Sequence, residues 1–101
     1  MKTAIYIRAN KTNQIAQQLF RLFAQASDKN YEVALKNIYT DSGSSNRIYR
    51  DGLVHMLFDA NNGEFSKVLV TSYDRLARSD NVMKNINTEL LINDISIEVV
   101  G

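Results

Sequence analysis

The chain has 101 residues, 45% of them hydrophobic, with 12 Lys+Arg against 11 Asp+Glu and no cysteine. That length holds one domain with a single core and leaves no room for a second. The near-neutral balance excludes a global basic field for nucleic acid, so such a partner must meet a local patch; the lack of cysteine excludes disulfides, thiolate metal sites and cysteine nucleophiles.

In chain order, Ala4 to Arg8 is β-rich and mostly apolar and reads as a buried first strand. Its apolar run is too short for a signal peptide or a membrane span, so a soluble, cytoplasmic chain with no membrane partner is expected. Thr12 is placed to cap a helix in which Ile15, Leu19, Leu22, Phe23 and Ala26 recur at helical spacing, with Gln18, Arg21 and Gln25 on other faces. Phe20 and Phe23 are assigned to the core. Ser27 to Asn30 closes that helix.

Tyr31 to Tyr39 reads as a second strand, ending at Thr40-Asp41. The small polar stretch from Ser42 to Arg47 reads as a long loop. Leu53, Met56, Leu57 and Ala60 form the stripe of a second helix, stopped by Asn61-Asn62-Gly63. Lys67 to Ser72 is the third strand; Met83, Ile86 and Leu90 mark a third helix, and Ile95 to Val100 a last strand. This alternation predicts an α/β fold: three layers, with a mostly parallel four-stranded sheet and helices on both faces. In such folds ligands bind outside the carboxyl ends of the strands.

Those ends carry Arg8 and Asn10, then Asp41, then Asp74 and Arg75. The densest stretch is Tyr73-Asp74-Arg75-Leu76-Ala77-Arg78-Ser79, directly after the third strand. If the chain turns helical there, Arg75 and Arg78 lean over one rim, Leu76 packs inward and Asp74 braces an arginine. Guanidinium forks match phosphate oxygens, so the pattern points to a held phosphoryl group. The bland alternative is a solvated surface helix with weak ion pairs.

Four pieces carry a resemblance: Ala4 to Arg8 with Gln14; Ile38-Tyr39-Thr40-Asp41 before a Gly/Ser loop; Arg50-x-Gly52-Leu53 with Met56-Leu57-x-Asp59-Ala60; and Val68-Leu69-Val70 followed by Asp74-Arg75-Leu76-Ala77-Arg78-Ser79. In order and spacing the chain resembles the N-terminal catalytic domain of the serine recombinases, the resolvase and invertase family. The resemblance implies a domain at residues 1–101 that binds the DNA phosphate backbone without metal, cofactor or small-molecule substrate. Strand transfer then runs through a phosphoserine inside an assembly of recombinase subunits. It implies phosphate-holding roles for Arg8, Arg50, Arg75 and Arg78, a carboxylate partner or proton donor in Asp74, and a site-shaping Gln14. It also implies that the family's long C-terminal helix and DNA-reading domain lie outside this stretch.

The family's nucleophilic serine falls on Asn10. An amide has no ionisable hydroxyl and cannot form the phosphoester, though it can donate to a phosphate oxygen. Thr12 reads as a helix cap and Ser42, Ser44 and Ser45 as loop serines rather than substitute nucleophiles. Arg47 reads as solvated or DNA-grazing, and Asp41 as a cap or a functional acid. His55 reads as an exposed helix histidine, and Tyr6, Tyr39 and Tyr73 as strand residues rather than base-stacking platforms. Two functions follow: a recombination protein whose site lacks its nucleophile, or a non-enzymatic remnant that pairs with and regulates recombinase subunits. A receiver-type signalling domain is disfavoured, because Arg8 and Asn10 stand where it needs a magnesium-binding acidic pair.

Overall fold

The computed structural model describes residues 2–42, 51–77 and 79–101. Its strands are β1 (Thr3–Ala9), β2 (Ile38–Ser42), β3 (Lys67–Val70) and β4 (Ser96–Val99), with helices α1 (Thr12–Asp28), α2 (Asp51–Asn61) and α3 (Asp80–Ile92) between them. The sheet runs β2-β1-β3-β4 and every pairing is parallel. The expected three-layer α/β architecture is therefore the observed one.

β1 is buried along its whole length, which is why its sequence is an apolar run rather than an alternation. On one face Ile5, Ile7 and Leu69 meet Leu22 and Ala26 of α1. On the other, Ala4, Tyr6, Val68 and Val70 meet Leu53, Met56 and Ala60 of α2 and Ile86 and Leu90 of α3. Gly63 stops α2 with φ +72, a left-handed turn in which its amide and that of Glu64 bond back to Ala60 and Asp59.

Several boundaries differ from the sequence reading. The second strand begins at Ile38 and not at Tyr31, because a 3-10 turn at Leu35–Asn37 interrupts the run. Leu35 there faces solvent while the polar Asn37 is buried and donates to the Tyr39 hydroxyl at 3.0 Å, the reverse of what a strand of alternating burial needs. The third strand stops at Val70. Thr12 is the first residue of α1 rather than its cap; Lys11 holds the cap position and makes no side-chain cap bond. Phe20 is 77% exposed and Phe23 is also exposed, since the inward stripe runs through Ile15, Gln18, Leu22 and Ala26, and neither phenylalanine lies on it.

One polar cluster ties α1 to the sheet edge. Glu98 of β4 accepts from Gln25 (3.1 Å), Tyr31 (2.8 Å), Lys67 (3.1 Å) and Lys29 (3.3 Å). Burial works to raise its pKa, but these donors outweigh it and hold the carboxyl down at about 2.

Candidate functional site

Parallel pairing sends the carboxyl ends of β1, β2 and β3 to one edge, and β1 reaches Ala9. Tyr6 and Arg8, two apart, project to the same face of the sheet. Arg8 is only 3% exposed. Its Nε donates to the carbonyl of Arg75 at 3.3 Å and its Nη2 to the carbonyl of Asp74 at 3.1 Å. Arg75 returns the bond, its Nη1 donating to the Arg8 carbonyl at 3.2 Å. The 3-10 turn Tyr73–Arg75 exposes those two carbonyls to the strand end, and the buried Leu76 pins the turn from below. Each guanidinium thereby rests against backbone of the other's segment.

Asp41, paired with Arg8 in the sheet register, organises the neighbouring edge. Its carboxylate accepts from the Tyr6 hydroxyl at 2.6 Å and from the first-turn amides of α2, Gly52 at 2.8 Å and Leu53 at 2.9 Å. A carboxylate on those amides satisfies donors that lack helical partners and complements the helix dipole. Asp41 is thus a cap for a helix that begins ten residues further on. Gly52 is required by space: a Cβ there would stand 2.6 Å from the Thr40 carbonyl oxygen and 3.0 Å from both Asp41 carboxylate oxygens. That contact gives the Gly52-Leu53 pair its physical reason.

Asn10 is exposed in the bend after β1, two residues beyond Arg8, and Gln14 is exposed in the first turn of α1. Asp74 reaches Arg8 through its backbone carbonyl rather than the expected carboxylate, and its side chain faces solvent. Arg50 and Arg78 lie outside the described residues, as does Arg47. The segment after β3 is a 3-10 turn followed by α3 from Asp80, capped by the Ser79 hydroxyl, and not one continuous helix.

Gln18 is the residue that sequence reasoning missed. Placed on an outer face by its polarity, it is buried, and its Nε2 donates to the Arg8 carbonyl at 3.2 Å. The Arg8 carbonyl therefore joins β1 to α1 on one side and to Arg75 on the other. The available signal was position: Gln18 interrupts the Ile15, Leu22, Ala26 stripe, where a polar group must find a partner.

His55 is exposed on α2, as expected, with its Nε2 3.4 Å from an Asp59 carboxylate oxygen and its ring edge-on to Tyr39. Burial and a 2.6 Å bond to Asp59 raise the Tyr39 phenol above its ordinary pKa. Among the described residues no group of His, Cys, Asp and Glu is arranged to hold a metal, and no helix is long and apolar enough to cross a membrane.

The family described as "Resolvase, N terminal domain" matches residues 3–101. Among solved structures, the chain is similar to the C-terminal catalytic domain of ISC1926 TnpA, an IS607-like serine recombinase. There the TM-score is 0.90 at 26% identity, covering 100% of this chain and 68% of that one. The N-terminal catalytic domain of TP901-1 integrase gives a TM-score of 0.86 at 29% identity, over 99% of this chain and 77% of that one. The first open reading frame of transposon ISC1904 from Sulfolobus solfataricus P2 gives 0.81 at 25% identity, over 100% and 68%. No curated protein matches the chain by sequence.

Proposed function

The chain belongs to the resolvase N-terminal domain family of serine recombinases, and on that premise we propose that it engages a DNA phosphodiester through an arginine cluster of Arg8, Arg50, Arg75 and Arg78. The work served is site-specific DNA recombination in company with other recombinase subunits. The observation that carries this reading is the reciprocal bonding of Arg8 and Arg75 at the carboxyl edge of the sheet, with Asn10 exposed just after the end of β1. In-line displacement at phosphorus spreads charge over the equatorial oxygens, and guanidiniums fixed beforehand stabilise that charge more than they stabilise the ground state. Asn10 occupies the nucleophile position and can only donate to a phosphate oxygen, so this chain holds the phosphodiester without cleaving it. Gln14 shapes the approach, and Asp74, whose carboxyl faces solvent, serves as proton donor.

Duplex DNA titrations across a salt series test the reading. Binding is expected to weaken with rising salt and to weaken further in Arg75→Ala. Within an assembled recombinase, Asn10→Ser is expected to trap a covalent protein–DNA adduct that the parent chain does not form. Affinity indifferent to both salt and Arg75→Ala would overturn it.

A second reading is a non-enzymatic module that pairs with active subunits. It is favoured by Leu91 and Ile92, adjacent on α3 and both exposed. Light scattering of the chain mixed with an active recombinase separates the two readings, because only the module must form a mixed complex in the absence of DNA.

A further inference from the structure

Tyr73 stands outside β3, in the 3-10 turn that leads into Asp74 and Arg75. Tyr73 is 53% exposed, whereas Tyr6 and Tyr39 are core residues. With Asp80, Met83, Lys84 and Asn87 of α3 it lines a cleft of about 500 Å³. The cleft combines an aromatic ring and a thioether with an ammonium, an amide and a carboxylate. We infer that this cleft takes an unstacked nucleobase from the DNA strand whose phosphodiester lies against the arginine pair. The inference rests on that reading of the arginines and adds a subsite to it.

The chemistry of the lining matches that occupant. Every base has a π face that an aromatic side chain can receive, whatever the sequence, and a polarizable thioether packs well beside it. The Asn87 amide offers a donor and an acceptor to a base edge, the Asp80 carboxylate accepts from an exocyclic amino group, and the Lys84 ammonium meets the strand's phosphates. The volume falls within the range of small-molecule sites, roughly 300–1,000 Å³.

Distance agrees as well. Consecutive Cα atoms are about 3.8 Å apart, so Tyr73 stands no more than two such steps from Arg75. Phosphates of a duplex strand advance by about 3.4 Å of helix axis per nucleotide and lie further apart in an opened strand, so a base next to the held phosphodiester reaches the ring. Bases inside an intact duplex hide their faces, so the site serves a strand that is single, nicked or locally opened.

Two measurements test this separately from the arginine reading. The first follows the Met83 methyl and Tyr73 ring resonances by NMR during titration with thymidine, which carries no phosphate. The second measures affinity for a short single-stranded oligonucleotide. Thymidine is expected to shift both resonances, and Tyr73→Ala is expected to abolish the Met83 shift. The same variant should lower oligonucleotide affinity about 5- to 100-fold, while Tyr73→Phe keeps it. Equal affinities for the parent chain and Tyr73→Ala, with no thymidine shift, would overturn the inference. Equal losses in Tyr73→Phe and Tyr73→Ala would also overturn it, since the hydroxyl and not the ring would then carry binding. If Arg75→Ala leaves oligonucleotide affinity unchanged while thymidine still shifts Met83, the arginine reading fails and the nucleobase cleft stands.

Discussion

Arg8 and Arg75 each donate from the guanidinium to the other's backbone carbonyl, at 3.3 Å and 3.2 Å, across 67 positions of sequence. The reciprocal bond closes the end of β1 onto the turn after β3 and sets both guanidinium planes before any ligand arrives. Under the proposed phosphate role, this prior bonding spares binding energy that would otherwise go to ordering the side chains. Its charged groups are also part of the fold, which makes them costly to remove.

Replacing Arg8 with methionine leaves the partly buried carbonyls of Asp74 and Arg75 without that donor. The expected loss is ~2–3 kcal/mol, read as a fall in the urea midpoint with an unchanged slope. Arg75→Ala, at a half-buried position, should cost ~1 kcal/mol. DNA-binding comparisons between them therefore belong at a temperature where circular dichroism shows both folded.

Gly52→Ala pushes a methyl group against the Thr40 carbonyl oxygen, 2.6 Å from the new Cβ, and strains the Asp41 bonds to the α2 amides. Overpacking of this kind costs ~1–3 kcal/mol. At ~4–8 °C per kcal/mol for a domain of this size, a scanning calorimeter should record Tm lower by ~4–24 °C. An unchanged Tm would show that α2 can slide away from β2.

Glu98 makes stability depend on acid. Its folded pKa of about 2 lies below the ordinary 4.5, so its contribution is complete above pH 4.5 and is lost as pH falls from there towards 2. The Glu98→Gln variant should be less stable at neutral pH by ~1–3 kcal/mol and show a flatter profile over that window. Urea midpoints measured at several pH values check both the offset and the slope.

Phe20 and Leu22, two apart on α1, should respond oppositely. Phe20→Gln is expected to change stability by no more than ~0.5 kcal/mol, because the ring faces solvent. Leu22→Ala empties a fully buried position and should cost ~2–5 kcal/mol. Paired denaturant titrations give the contrast directly.

The order of strands and helices, the parallel sheet and the gathering of Arg8, Asn10, Asp41, Asp74 and Arg75 at one edge were legible from the letters. Hydrophobic periodicity and turn residues act over a few positions, and a β-α alternation admits few topologies. The Arg-x-Gly-Leu and Asp-Arg-Leu-Ala-Arg-Ser pieces pointed to the family by their spacing, and two of their letters answer packing demands. Gly52 must admit a carbonyl, and Leu76 must anchor a turn.

Other features were decided only by the tertiary structure. The Arg8 side chain reaches the Asp74 and Arg75 carbonyls, Gln18 turns inward to the Arg8 carbonyl, Phe20 is left outside, and Tyr73 opens a cleft with α3 instead of extending β3. The first two depend on which backbone group remains unpaired where two distant segments meet, the others on how helices seat against the sheet. Periodicity records whether a side chain prefers water, but it carries no term for a partner 67 residues away.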